Sequence, residues 1–79
     1  MKIFEVYETD MMFTIFKNDQ NGSYILKSED QVSIDDILII KNKNTDESLK
    51  YKIMSVLDNS TKILTKNYYL LLLEKIKED

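Results

Sequence analysis

The chain has 79 residues and a net charge of −3, with eleven lysines and no arginine, cysteine or histidine. This length suits one domain, residues 1–79, with a small hydrophobic core. Without cysteine the chain has no disulfide or thiolate metal site, which fits a cytoplasmic protein. Without histidine it lacks the commonest zinc ligand and general base. We therefore expect no enzymatic activity, no metal and no cofactor.

An acidic chain without arginine is a poor general binder of nucleic acid, because arginine contacts phosphate and stacks on bases best. A local lysine cluster is still compatible with RNA binding. The first residues contain no apolar stretch of signal-peptide length. The longest apolar run, Tyr68–Leu73, is far shorter than the roughly 20 residues of a membrane-spanning helix. Secretion and membrane insertion are not expected.

Short segments with alternating apolar and polar residues make up the N-terminal part, as in strands with one buried face. Lys2–Glu8 has this pattern, and Met11–Lys17 repeats it. The polar stretch Asn18–Gly22 follows and contains the only glycine of the chain. Because an Asn-Gly pair favours the positive φ angles of a tight turn, the sequence predicts a hairpin with Ser23–Lys27 as its second strand.

The middle of the chain continues with short strands and polar turns. Ser28–Ser33 is predicted to be a loop, and the β-branched run Ile37–Ile40 a strand buried on both faces. Asn42–Ser48 is predicted to be a solvated turn. Leu49–Leu57 alternates with a period of two, which predicts a strand with one buried face. Another turn is expected at Asp58–Thr61.

The last segment, Tyr68–Leu73, is compatible with two structures. It is apolar enough for a strand buried on both faces. Read as a helix, it also has apolar residues that share one side, namely Leu64, Tyr68, Leu71, Leu72 and Ile76. We favour the strand. About six short strands with little helix then predict a mainly β domain, a small antiparallel β-barrel closed on itself.

Four stretches have the order and spacing of segments in a known family. They are Phe13–Gln20, Ile34–Ile40, Lys52–Asp58 and Asn67–Glu74. Together they resemble the small ASCH domains of the PUA-like superfamily, with residues 21–30 as an insertion. The resemblance implies a PUA-like β-barrel. It also implies a superfamily whose better-known members bind RNA or process modified nucleosides.

Several residues depart from the family pattern. Thr14 stands at its acidic position, and Phe16 and Gln20 stand at its two arginine positions. Asp35 replaces a glycine before Asp36, and the first ten residues leave no room for the family's N-terminal helix. Since the missing groups are those expected to line a ligand cleft, the resemblance implies a barrel that has lost the ancestral chemistry.

Two polar clusters are candidate binding sites for phosphate or a base edge. The first lies in the family-like segment and consists of Lys17, Asn18 and Asp19. Its alternative interpretation is a hairpin turn capped by the Asn and Asp side chains. The second consists of the lysines on either side of the Asn42–Ser48 turn, namely Lys41, Lys43, Lys50 and Lys52. Its alternative interpretation is a set of solvated, outward-facing strand residues.

Two further groups of residues have both a functional and a structural interpretation. Asp35 and Asp36 are adjacent, so on a strand they point to opposite faces, and a turn or the entry to a strand is favoured over a catalytic carboxylate pair. Met11 and Met12, with the nearby phenylalanines, form either an exposed apolar patch for a partner or part of the core. The core is favoured.

These observations favour a non-catalytic recognition module that binds a protein partner. By analogy, small accessory or inhibitor proteins of phages and mobile elements have this composition. An acidic inhibitor meets the basic groove of a nucleic-acid enzyme through its carboxylates. The alternatives are an RNA-binding PUA-like domain and, less favoured, a hydrolase of modified nucleosides. Edge strands of so small a barrel offer a route to a homodimer.

Overall fold

The computed structural model describes residues 1–19, 21–58 and 66–77. These residues are 54% strand and 13% helix, so the predicted mainly β fold is confirmed. The helix, α1, is Asp10–Asn18. The strands are β1 (Ile3–Glu8), β2 (Asn21–Lys27), β3 (Ile37–Asn42), β4 (Ser48–Leu57) and β5 (Tyr68–Lys75).

One curled sheet in the shape of a half-barrel contains all five strands, in the order β1-β3-β4-β5-β2. Neighbouring strands are antiparallel except for β1 and β3, which are parallel. The described strands number five where about six were expected, and β1 and β2 form two edges instead of pairing with each other. Both differences arise because the second predicted strand is a helix.

The prediction of a strand at Met11–Lys17 is wrong, because this segment lies within α1. Thr9 caps the helix, its hydroxyl accepting the backbone N–H of Met12 at 3.3 Å. Phe13 and Phe16, three residues apart, are both buried against the sheet. The apolar residues of this segment fit both the period of two of a strand and the period of 3.6 of a helix. The Thr9 cap favours the helix, and so does the burial of Phe13 and Phe16 against the sheet.

The predicted Asn-Gly hairpin is also wrong. Both residues lie inside β2, and Gly22 has no positive φ. The strand at Ser23–Lys27 is confirmed, but it pairs with β5 and not with the segment before it. A Cβ at Gly22 would contact the Phe16 ring at 3.7 Å. The glycine therefore lies beneath the helix and does not form a turn.

The other predicted strands are confirmed. Ile37–Ile40 lies in β3 and Leu49–Leu57 in β4, joined by the predicted turn, and Tyr68–Leu73 is strand rather than helix. The expectation that Ile37–Ile40 is buried on both faces is wrong, because Ile37 and Ile39 are only partly buried. Ser28–Ser33 lies outside helices and strands, as expected. Most of the turn predicted at Asp58–Thr61, and residue 64 of the alternative helix, lie outside the described residues.

The core lies between α1 and the concave face of the sheet, called here the inner face. Its fully buried side chains come from the three central strands and are Leu38, Ile40, Tyr51, Ile53 and Leu71. The Tyr51 hydroxyl donates to the Phe16 carbonyl at 2.9 Å. Lys75 Nζ donates to the Lys17 carbonyl at 2.8 Å. These bonds hold the end of α1 over the core.

The two edge strands are linked by side chains on the inner face. The hydroxyl of Tyr24, on β2, donates to Glu8 Oε2, at the end of β1, at 3.0 Å. Burial, and then the bond to Glu8, raises the pKa of Tyr24 to about 12. The phenol therefore stays a donor at neutral pH, and the bond connects the two sides of the half-barrel.

The loop before β3 is held by a buried carboxylate. Asp36 is 4% exposed and accepts the backbone N–H groups of Lys2 and Ser33, both at 2.9 Å. Asp35, beside it, has a φ of 76°, in the left-handed region that aspartate enters more easily than most residues. Asp36 thus fixes the start of β1, and no carboxylate pair forms.

Candidate functional site

The first predicted cluster lies at the end of α1. Lys17 pairs with Glu47 across an N–O distance of 3.0 Å. Asn18 is the last residue of the helix, and Asp19 ends it by donating its backbone N–H to the Phe16 carbonyl at 3.2 Å. The alternative interpretation as a hairpin turn is therefore wrong, and the lysine already has a carboxylate partner.

Three lysines of the second cluster lie on the convex face of the sheet, called here the outer face. Lys50 and Lys52 alternate with the buried Tyr51 on β4, and Lys41 projects from β3 in the same direction. Lys43 lies beyond the end of β3, in the turn to β4. The structure thus brings Lys41, Lys50 and Lys52 to one face and leaves Lys43 and the Lys17 cluster outside it.

Acidic side chains lie among these outer-face lysines. Lys41 Nζ is 3.2 Å from Glu5 Oε2, and this hydrogen bond, with the charge of Glu5, raises the pKa of Lys41. Lys52 Nζ is 3.3 Å from Asp35 Oδ1. Glu74 is the β5 neighbour of Lys52. Exposed ion pairs add little stability, but they make the outer face mixed in charge rather than basic.

Two pockets lie beside these groups. One, of about 260 Å³, is lined by Lys52, Glu74, Lys75, Ile76 and Lys77. The other, of about 310 Å³, is lined by Tyr7, Lys41, Asn42, Thr45, Asp46, Glu47 and Ser48. Sites for small molecules are mostly apolar and begin at about 300 Å³. The first pocket is smaller than such sites, and the second is lined mainly by polar groups, so neither fits that description.

Within residues 1–19, 21–58 and 66–77, no group of three or more histidine, cysteine or acidic side chains is placed to hold a metal ion. In the same ranges no helix has the length and apolar composition needed to cross a membrane.

A continuous apolar patch on the outer face was not identified from the sequence. Leu70 of β5 lies between Ile25 of β2 and Leu57 of β4, and Leu72 follows on the same face. Ile25 is 57% exposed and Leu72 is 52% exposed. These four residues are called here the apolar patch. Its signal was present in Tyr68–Leu73, a run that is apolar on both faces although only one face contacts the core.

The helix also presents apolar side chains to solvent. Met11 and Ile15 are at least half exposed, and Met12 is partly exposed. Phe13 and Phe16 are in the core, so the predicted group divides between two sides of α1. The exposed ones form a second apolar surface, confined to one helix.

No protein-family model matches the chain, and no curated protein matches it. The ASCH resemblance therefore stays a prediction based on residues 11 to 76.

Proposed function

We propose that the protein is a non-catalytic recognition module that acts by binding a protein partner. The apolar patch carries this proposal, because it joins three strands and leaves leucine and isoleucine side chains in water. Contiguous exposed apolar residues rimmed by polar ones mark sites of protein contact. Ser23 and Ser55, the cross-strand neighbours of Leu72, supply part of such a rim.

The charges of the outer face also favour a protein over RNA. RNA binding needs an excess of positive charge, since release of counterions from phosphate provides most of the affinity. Here Lys41 and Lys52 each have a carboxylate partner within 3.3 Å, and the whole chain has a net charge of −3. A mixed surface of this kind suits a protein interface with a polar rim.

The proposed module is a PUA-like framework without the family's chemistry. Two observations support this part of the proposal: the curled, barrel-like sheet, and the φ of 76° at Asp35, where the family pattern has glycine. A left-handed conformation favours glycine at such a position, and aspartate also accepts it. Under this proposal the protein acts as an accessory or inhibitor protein through its surface.

Two measurements test the proposal together. In the first, a fluorescent mixed RNA pool is titrated with protein at low and near-physiological salt, and we expect no saturable change in anisotropy. In the second, immobilised protein is incubated with lysate of the source cells. We expect it to retain a specific protein that the Ile25→Ser/Leu72→Ser variant loses and the Ile15→Ser control keeps.

The two measurements also define what would contradict the proposal. Saturable RNA binding that weakens steeply with salt would make the alternative, an RNA-binding PUA-like domain, the better description. Retention of the same protein by the Ile25→Ser/Leu72→Ser variant would remove the apolar patch as its basis. Failure to retain any protein would refute the proposal itself.

A further inference from the structure

Among the strands of residues 1–19, 21–58 and 66–77, none pairs with one side of the β2 backbone. Ser28 donates its N–H to the Asn67 carbonyl at 2.8 Å, and these two residues continue the β2–β5 register. In antiparallel strands, opposed residues that exchange backbone hydrogen bonds alternate with opposed residues that do not, and Ser28 and Asn67 are a bonded pair. Gly22, Tyr24 and Leu26 therefore bond to β5, while the N–H and C=O groups of Ser23, Ile25 and Lys27 point away from the sheet. These outward groups are called here the β2 edge.

The side chains along the β2 edge add apolar and charged contacts to this free backbone. Ser23, Ile25 and Lys27 all project from the outer face, because residues two apart share a face of a strand. Ile25 belongs to the apolar patch, so a strand added here would extend that patch. The Lys27 ammonium lies 5.9 Å from the centre of the Tyr68 ring, and among the described residues no carboxylate pairs with it.

The opposite edge of the sheet differs in its charges. Ile37 and Lys43 donate to the carbonyls of Lys2 and Glu8, so the intervening odd-numbered residues of β1 direct their backbone groups outward. At that edge Glu5 already pairs with Lys41, whose ammonium also lies 5.7 Å from the Tyr7 ring. An added strand would meet the already paired Glu5 at that edge, whereas at the β2 edge it would meet Lys27, which has no carboxylate partner among the described residues.

We propose that the β2 edge binds an extended segment of the partner protein, which adds to the sheet as a further strand. The segment carries an acidic residue beside Lys27 and an apolar residue two positions away, beside Ile25. The inference rests on the proposed function and names its site and the class of its ligand. Main-chain hydrogen bonds supply affinity in this mode of recognition, and the alternate side chains supply specificity.

The probe is a displayed library of random 12-residue peptides selected on the full chain. We expect the enriched peptides to share an acidic and an apolar residue two positions apart. One enriched peptide is then labelled and titrated against wild type and three variants. Ser23→Pro removes an outward N–H that takes no part in the β2–β5 hydrogen bonds. Lys27→Glu reverses the charge of the side chain at the β2 edge. Ile3→Pro is the matched control, because it removes an outward N–H from β1 at the opposite edge.

We expect Ser23→Pro and Lys27→Glu to weaken peptide binding at least tenfold and Ile3→Pro to change it less than twofold. Circular dichroism checks that each variant is folded. Lys27→Glu, a surface change outside the sheet bonds, keeps the test valid if Ser23→Pro does not fold. Amide hydrogen exchange of wild type gives an independent result, because peptide binding should slow the exchange of Ile25 and Lys27.

Other outcomes would overturn the proposal. Unchanged peptide affinity in both β2 variants, or the absence of any enriched peptide, would remove the β2 edge as the site. Lysate capture would then decide the proposed function separately. A dimer in sedimentation equilibrium that becomes monomeric in Ser23→Pro would show that a second copy of the chain occupies the edge, which also overturns the proposal.

Discussion

At the scale of single residues, short polar side chains determine how the ends of elements are fixed. Thr9 caps α1, Asp36 binds the backbone at the start of β1, and Asp35 accepts a left-handed conformation. The two aspartates lie at a turn before a strand, as predicted. The burial of Asp36 could not be predicted, because its donors include Lys2, which is 34 residues away in the chain.

Asp36 should make the stability of the fold depend on acid pH. The hydrogen bond from the Lys2 backbone holds the pKa of Asp36 below its usual value, although burial raises it. A lowered folded-state pKa gives stability that is present above the unfolded-state pKa of about 3.9 and is lost as pH falls through the folded-state pKa.

We therefore expect Asp36→Asn to lower the free energy of unfolding by about 2 kcal/mol at pH 7. The difference from wild type should shrink in urea denaturation curves measured below about pH 4. Asp35→Asn is the matched control, since asparagine also accepts a positive φ. A constant difference between Asp36→Asn and wild type at all pH values would contradict the role of the carboxylate charge.

At the scale of elements, α1 shows why the spacing of apolar residues by itself led to a wrong prediction. Met11–Lys17 has apolar residues at spacings of two, three and four, so both helix and strand can bury some of them. In the helix Phe13 and Phe16 reach the core and Ile15 faces solvent. In the predicted strand Phe13 and Ile15 would share a face. Contact with the Tyr24 and Tyr51 rings, 5.8 and 6.3 Å from the Phe16 ring, favours the helix.

This difference can be measured with two alanine substitutions. Phe16→Ala should lower the free energy of unfolding by about 3–5 kcal/mol, because it leaves a cavity beneath α1. Ile15→Ala should change it by less than about 0.5 kcal/mol, because this side chain is already in water. Chemical denaturation followed by circular dichroism provides both values. A larger loss for Ile15→Ala would indicate that the strand pattern is the correct one.

At the scale of the whole molecule, strand order determines which surfaces are open. The first two strands of the chain lie at opposite ends of the order β1-β3-β4-β5-β2. Because α1 and not a strand connects them, the sheet curls without closing through backbone pairing. The apolar patch, the β2 edge and the outer-face lysines all follow from this order, since each depends on residues from different strands.

The open edge predicts an alternating pattern of hydrogen exchange along β2. In the free protein the amides of Tyr24 and Leu26, which bond to β5, should exchange at least tenfold more slowly than those of Ile25 and Lys27. Exchange measured by NMR at neutral pH tests this. Equal protection along the strand would show that another strand covers the edge, as in a closed barrel or a dimer.

The sequence alone determined the mainly β class, the strands at β1, β3, β4 and β5 and most of β2, because alternation and β-branched runs are local properties of the chain. The sequence also identified the lysines as candidate binding residues, but only the tertiary structure decided which carboxylates pair with them. Glu5 reaches Lys41 through the parallel pairing of β1 with β3, and Glu47 reaches Lys17 through the position of α1. Strand order and helix placement depend on contacts between distant segments, and no local pattern encodes which edge remains free.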